Sequence, residues 1–211
     1  MKRLILVRHG ETEMNVLNAL KDIRICGRFD TPLTAKGIDD AKRLSKNKHL
    51  KDVDIVITSN ISRAYKTARY VFPQHKIIFT QYLKERSLGI FEGKYVDDLK
   101  KHPEHSRYFI DKTLISFRHG FVVRAPGGEN YSDLLISNKR LFSDLDLTDD
   151  KTVAMVSHIC RIRTILMYTL GLDMNRTLKL HIPNCTPIIL DYDLRKNKFR
   201  LSEPSLEVLM K

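Results

Sequence analysis

The chain has 211 residues, 42% of them hydrophobic and 29% charged, which suits one sizeable core and one domain over 1–211. Its longest apolar runs, such as Leu4 to Val7 and Ile188 to Leu190, are far too short to span a bilayer, and the N-terminus enters a strand at once. Neither a membrane span nor a secretory leader is expected, and three cysteines without a C-x-x-C pair (Cys26, Cys160, Cys185) point to no disulfide framework or thiolate zinc site.

A cytoplasmic setting is therefore the default expectation. The formal charge of +12 makes the chain attractive to anions. Its basic residues are scattered, with modest clusters at Lys46 to Lys51 and Arg195 to Lys198 that read as solvated surface. Nothing in the chain resembles a nucleic-acid-binding motif, so no nucleic-acid partner is expected.

In chain order, Leu4-Ile5-Leu6-Val7 reads as a buried strand that stops at Arg8-His9-Gly10, after which the chain turns polar. Ligands of open α/β sheets collect just beyond the carboxyl ends of strands, which is where Arg8 and His9 fall. A turn-rich segment leads to Thr34, which can cap a helix carrying Ile38, Ala41 and Leu44 at helical spacing. Asp54 to Thr58 reads as a second strand, followed by a helix through Ala64, Thr67, Ala68 and Val71, so Arg63 starts a helix just after a strand. Lys76 to Thr80 is a third strand, with Glu85 a few residues beyond it.

Residues 95–121 have mixed polarity and break the strand–helix alternation, which predicts an inserted helical cap over the site. Gly127-Gly128-Glu129 is expected to open a helix carrying Tyr131, Leu134, Leu135, Leu141, Phe142 and Leu145. Thr152 to Val156 is the fourth strand and ends in Ser157-His158. A helix from about Arg161 to Leu170 stops at Gly171, and Thr186 to Asp191 and Lys198 to Leu201 read as edge or near-edge strands. Four strand ends thus present Arg8/His9, Arg63, Glu85 and His158, which in a parallel sheet lie on one rim. Such a set fits phosphoryl transfer, where cations neutralise the equatorial oxygens while a nucleophile and a leaving-group acid flank them.

The segment Arg8-His9-Gly10-Glu11-Thr12-Glu13-Met14-Asn15 resembles the signature of the histidine phosphatase (phosphoglycerate mutase-like) superfamily. Further similarities follow in the family's order at Asp30 to Gly37, Thr58 to Ala64, Glu85 to Gly93, Gly127-Gly128-Glu129 and Val156-Ser157-His158. The resemblance implies a three-layer α/β/α sandwich with a mostly parallel sheet and a helical cap insertion. It also implies a phosphatase acting on a small phosphorylated metabolite, without a metal or other cofactor.

By the same resemblance His9 is the nucleophile, whose pKa two neighbouring arginines would depress, and Glu85 is the general acid and base. Arg8, Gly10, Asn15, Arg63 and His158 would bind the phosphate, with His158 adding charge in the transition state if protonated. Glu129 is read either as a substrate-side group or as an acidic residue in a helix's first turn. Glu11, Glu13 and Glu92 are weaker candidates for the acid, and His49, His75, His102, His105, His119 and His181 read as ordinary histidines.

The chain departs from the family pattern at Ile159 and Cys160, where Gly usually follows the histidine, and at Met14 and Asn60. Cys160, close to His158, reads as a small buried apolar residue ahead of the alternative, a redox-sensitive thiol. Two other functions compete with the phosphatase: a cofactor-dependent phosphoglycerate mutase, and a non-catalytic phosphate- or nucleic-acid-binding module. The short chain and the segment Leu88 to Gly93 favour the phosphatase; intact His9, Arg63, Glu85 and His158 disfavour the binding module.

Overall fold

A computed structural model describes residues 1–21, 23–145 and 147–210. The first strand, β1 (Arg3–Arg8), is buried along its middle four residues and is followed by two helices, α1 (Glu13–Ala19) and α2 (Ala35–Leu44). Then come β2 (Ile55–Ser59), α3 (Ser62–Val71) and β3 (Ile77–Thr80), and after them two short helices, α4 (Val96–Lys101) and α5 (Arg107–Ile110). The second half runs α6 (Tyr131–Ser143), β4 (Thr152–Ser157), α7 (Ile159–Leu170), α8 (Met174–Lys179), β5 (Pro187–Asp193), β6 (Lys198–Leu201) and α9 (Glu203–Leu209).

The six strands form one sheet in the order β3-β2-β4-β1-β5-β6. Pairings among β3, β2, β4 and β1 are parallel, while β5 runs antiparallel to β1 and β6 antiparallel to β5. The sheet is therefore mostly parallel, as expected. β4 is buried at every residue because helices cover both faces, the usual condition of a parallel strand.

Alternation along the strands divides the core. Leu4 and Leu6 pack with Met155, Ile188, Leu141, Ile162, Ile165 and Leu209, joining α6, α7 and α9 to one face. Ile5 and Val7 pack with Ala154, Val156, Ala41, Ala64 and Ala68, joining α2 and α3 to the other.

Helix starts follow local chemistry. The Thr34 side chain accepts from the Gly37 N–H to cap α2, and Gly171 closes α7 in the left-handed conformation at φ 65°. Two helix starts and three whole helices differ from the sequence expectation. α6 begins at Tyr131, with Asn130 as its capping residue, so Gly127 to Glu129 precede the helix. α7 begins at Ile159, directly after His158, and α1, α8 and α9 are helices the periodicity did not signal.

The expected insertion is helical, holding α4, α5 and a 3₁₀ turn at Ile115–Arg118. It has its own apolar cluster of Phe91, Val96, Leu99, Phe109 and Phe117 with Ile25 and Ala125. Phe91 sits at its centre, with the rings of Tyr108, Phe109 and Phe117 between 5.3 and 5.7 Å away. Burying each such ring is worth about 1.5–3 kcal/mol, which is what allows so short a helical segment to hold its shape.

Candidate active site

Because β1 and β4 are neighbours in parallel register, with Arg8 opposite Ser157, the two histidines that follow them come together. The His9 N–H donates to the Ser157 carbonyl at 2.9 Å, and the His9 and His158 ring centroids lie 5.2 Å apart. His9 Nδ1 faces its neighbour's carbonyl, Gly10 O, at 2.8 Å. A carbonyl can only accept, so Nδ1 carries the proton and the neutral ring keeps its lone pair on Nε2.

Burial first, then the Arg63 and Arg8 guanidinium groups, hold the His9 pKa well below the usual histidine value. His158 is likewise depressed, first by burial, then by His9, Arg63, Arg161 and Arg8. Both rings are thus neutral at physiological pH. A cation at His158 would stand buried among the charges of Arg63, Arg161 and Arg8, so the conditional charge expected of it is disfavoured here. Its Nε2 pairs with Ser59 Oγ at 2.9 Å, and its Nδ1 is buried without a partner among the described residues.

The arginines are anchored through their forks. Arg63, 1% exposed, donates from Nη1 to Phe29 O at 2.8 Å and from Nη2 to Gly27 O at 2.7 Å. Arg8 donates from Nη1 to Ile182 O at 2.9 Å and lines a cavity of about 390 Å³ with Glu11, Lys36, Arg163, His181 and Asn184. The Nε of each is buried without a partner among the described residues, leaving two cationic N–H groups unsatisfied.

Glu85 is nearly buried, at 7% exposure, and is the negative charge that acts most strongly on Arg8. Its Oε1 accepts the Arg86 N–H at 2.7 Å, and its Oε2 is 3.4 Å from the Cys160 N–H in the first turn of α7. The rival carboxylates are committed elsewhere. Glu11 accepts from Thr34 Oγ1 at 2.9 Å, Glu92 from the Leu88 N–H at 2.7 Å, and Glu13 sits in the first turn of α1. Glu129, weighed as a substrate-side group, holds Arg28 Nη2 with both oxygens at 2.8 Å and also accepts the Ser87 N–H at 2.9 Å.

Two expected phosphate contacts have other duties. The Gly10 N–H donates to Thr67 Oγ1 at 2.9 Å, and a Cβ at Gly10 would come within 2.6 Å of Gly37 O. Gly10 therefore allows close packing of α2 against the loop, and its N–H is paired with Thr67 in this structure. The Thr12 N–H donates to Asn15 Oδ1 at 3.1 Å, completing the capping box of α1.

Cys160 is half-buried near Glu85, and burial followed by that carboxylate pushes its thiol up to about 11, so it stays protonated at neutral pH. Ile159 and Cys160 occupy ordinary helical positions at the start of α7, so no glycine-only conformation is required there.

Sequence reasoning missed four supporting side chains: Ser59, Thr67, Arg28 and Asn184, whose Nδ2 donates to His9 O at 2.6 Å. Of these only Arg28 carried a local signal, a cation in the turn Gly27-Arg28-Phe29-Asp30. Among the described residues no group of three or more His, Cys, Asp or Glu could hold a metal ion, and no helix is long and apolar enough to cross a membrane.

A protein of Enterobacter sp. (strain 638) named "probable phosphoglycerate mutase GpmB" is 30% identical over 195 residues, covering 91% of this chain and 86% of that protein. The phosphoserine phosphatase of Entamoeba histolytica, solved with 3-phosphoglyceric acid, is 26% identical with a TM-score of 0.74 over 96% of each chain. The α-ribazole phosphatase of Shigella flexneri, 24% identical, shares the fold with a TM-score of 0.78 over 94% of this chain and 95% of that one. The sequence profile of one family matches residues 4–203, from the strand that delivers His9 to the first turn of α9, and by that match this chain belongs to the histidine phosphatase superfamily, branch 1.

Proposed function

We propose that the protein hydrolyses phosphomonoesters of small metabolites, without a metal, through a phosphohistidine on His9. The observation that carries this reading is the Nε2 lone pair of a neutral, buried His9 held beside two arginines. In the first step Nε2 attacks phosphorus and the ester P–O bond breaks in line. Glu85, in its acid form, gives its proton to the departing alkoxide, which leaves as the alcohol.

A water molecule then loses a proton to the Glu85 carboxylate and attacks the phosphohistidine. Inorganic phosphate leaves, and the N–P electron pair returns to Nε2, restoring the neutral ring. Arg8 and Arg63 would offer their unsatisfied Nε–H groups to the phosphoryl oxygens, and neutral His158 would offer a hydrogen bond rather than a charge. Asn15 retains its amide N–H₂ for the same phosphate, and the helical segment at 95–121 would cover the leaving group.

The name of the Enterobacter relative favours a second reading, in which the phosphoryl group returns to a phosphoglycerate instead of passing to water. The structurally similar Entamoeba phosphatase favours hydrolysis. A panel of phosphorylated metabolites, including 3-phosphoglycerate with its bisphosphate primer, separates the two by released phosphate against isomerised product. Silence across the panel would favour the binding module instead. His9→Ala should abolish both turnover and acid-labile labelling of the folded protein; phosphoenzyme persisting in that variant would mean the nucleophile lies elsewhere.

A further inference from the structure

The two carbonyls that flank the Cα of Glu85 are each gripped by a different arginine. Arg161 Nε donates to Lys84 O at 3.1 Å from the core side, and Arg28 Nε donates to Glu85 O at 2.8 Å from the opposite loop. We propose that Arg28 and Arg161 are positioning residues that bracket Glu85 and hold its carboxyl in reach of the leaving oxygen. This rests on reading Glu85 as the general acid.

Neither grip is a loose surface contact. Arg161 is 2% exposed, and its Nη1 also donates to Leu134 O at 2.9 Å, Ser137 Oγ at 2.6 Å and Asn138 Oδ1 at 2.9 Å, all on α6. Its partners are neutral, so this cation is buried at a cost that an uncharged cap for the same carbonyls would avoid. Burial accordingly lowers its pKa to about 10. What the guanidinium supplies is a rigid planar fork joining α6 and α7 to the segment that carries the acid.

Arg28 ties that segment to the phosphate side. It lies between Gly27 and Phe29, whose carbonyls are the acceptors of Arg63. Its Nη2 holds Glu129, which in turn accepts the Ser87 N–H, two residues past Glu85. One three-residue turn therefore meets a phosphate-binding cation on one side and the acid's own carbonyl on the other. The separation of phosphorus from proton donor is set by that turn. A general acid works only within hydrogen-bond reach of its proton acceptor, so a shift of this segment should cost acid catalysis more than phosphate binding.

The leaving group supplies the test. Single-turnover phosphorylation of His9 is measured with an alkyl phosphate and an aryl phosphate in the wild type, Arg28→Gln, Arg28→Lys, Arg161→Lys, Glu85→Gln and the double variant Arg28→Gln/Glu85→Gln. An alkoxide needs the proton and a nitrophenolate needs little of it. Arg28→Gln should slow the alkyl ester by roughly ten- to a hundredfold, the worth of a hydrogen bond from a charged donor, and the aryl ester far less. Arg28→Lys should recover part of the loss, and Arg161→Lys, with Arg161→Gln in reserve should it not fold, should show the same preference.

In the double variant the alkyl rate should fall no further than in Glu85→Gln alone. Equal losses on the two esters, or additive losses in the double variant, would overturn the bracket while leaving a selective Glu85→Gln standing. A Glu85→Gln variant that spares neither ester would remove Glu85 from the acid role, and this inference with it.

Discussion

At the scale of the residue, two neutral imidazoles lie 5.2 Å apart among arginines, and their neutrality links the site to folding. An unfolded histidine takes up a proton near pH 6.5, whereas folded His9 and His158 resist it until well below that value. The unfolded state therefore binds more protons as pH falls below about 6.5, and stability that is complete above that pH drains away toward the folded pKa values. Each ring contributes a slope of about 1.4 kcal/mol per pH unit inside that window. Urea denaturation between about pH 7.5 and 5 should show this loss, and His158→Asn should remove about half of the two rings' share. An unchanged slope in the variant would mean that His158 is not held neutral. If His9 is the nucleophile we propose, the same depression would keep its Nε2 available at mildly acid pH, where a solvent-exposed histidine would already be protonated.

At the scale of the element, the catalytic loop is defined by how closely α2 approaches it. A Cβ at Gly37, in the first turn of α2, would collide with Glu11 O and lie 2.8 Å from the Glu11 nitrogen. Glu11 follows His9 by two residues, so any retreat of the helix moves the loop that carries His9. Gly37→Ala should cost about 1–3 kcal/mol of stability by overpacking and should lower kcat by up to about a hundredfold, the penalty for a displacement near 1 Å. Gly171 is the control. It sits at φ 65° with nothing near enough to collide, so Gly171→Ala should cost about 1 kcal/mol in backbone strain and leave kcat unchanged. Chemical denaturation and steady-state kinetics on both variants check the pair; equal effects on kcat would show that the α2 contact does not set the loop.

At the scale of the whole molecule, a net charge of +12 draws phosphate esters toward a protein whose site concentrates arginines on buried positions. In the proposed mechanism Arg8 and Arg63 would do what a divalent ion does elsewhere, neutralising phosphoryl oxygens, and no cluster of metal donors exists among the described residues. EDTA should therefore leave turnover intact. Activity lost to the chelator and restored by added divalent ions would overturn the metal-free mechanism.

The amino-acid sequence by itself determined the strand ends at which the candidate site residues sit. A run such as Leu4 to Val7 has to be buried, its polar successor cannot follow it inward, and the reactive residues are left at the boundary. The same local logic located β2, β3, β4 and β6, the Thr34 cap and the Gly171 stop, because each depends on neighbours within a few positions. The order of the motifs carried the family.

Helix α1 escaped that logic. It buries only Met14 and is held by a capping box rather than an apolar stripe. α9 announced itself only by Pro204 in its first turn. What tertiary structure alone decided are contacts between positions far apart in the chain. Ser59 and His158 are 99 residues apart, Arg28 and Glu129 are 101 apart, and Gly10 meets Thr67 across 57. No periodicity or spacing carries such pairs, since they exist only once the parallel sheet has brought its strand ends to one rim. His158 is neutral for the same reason: its protonation is governed by burial and by three arginines that its own sequence neighbourhood does not contain in full.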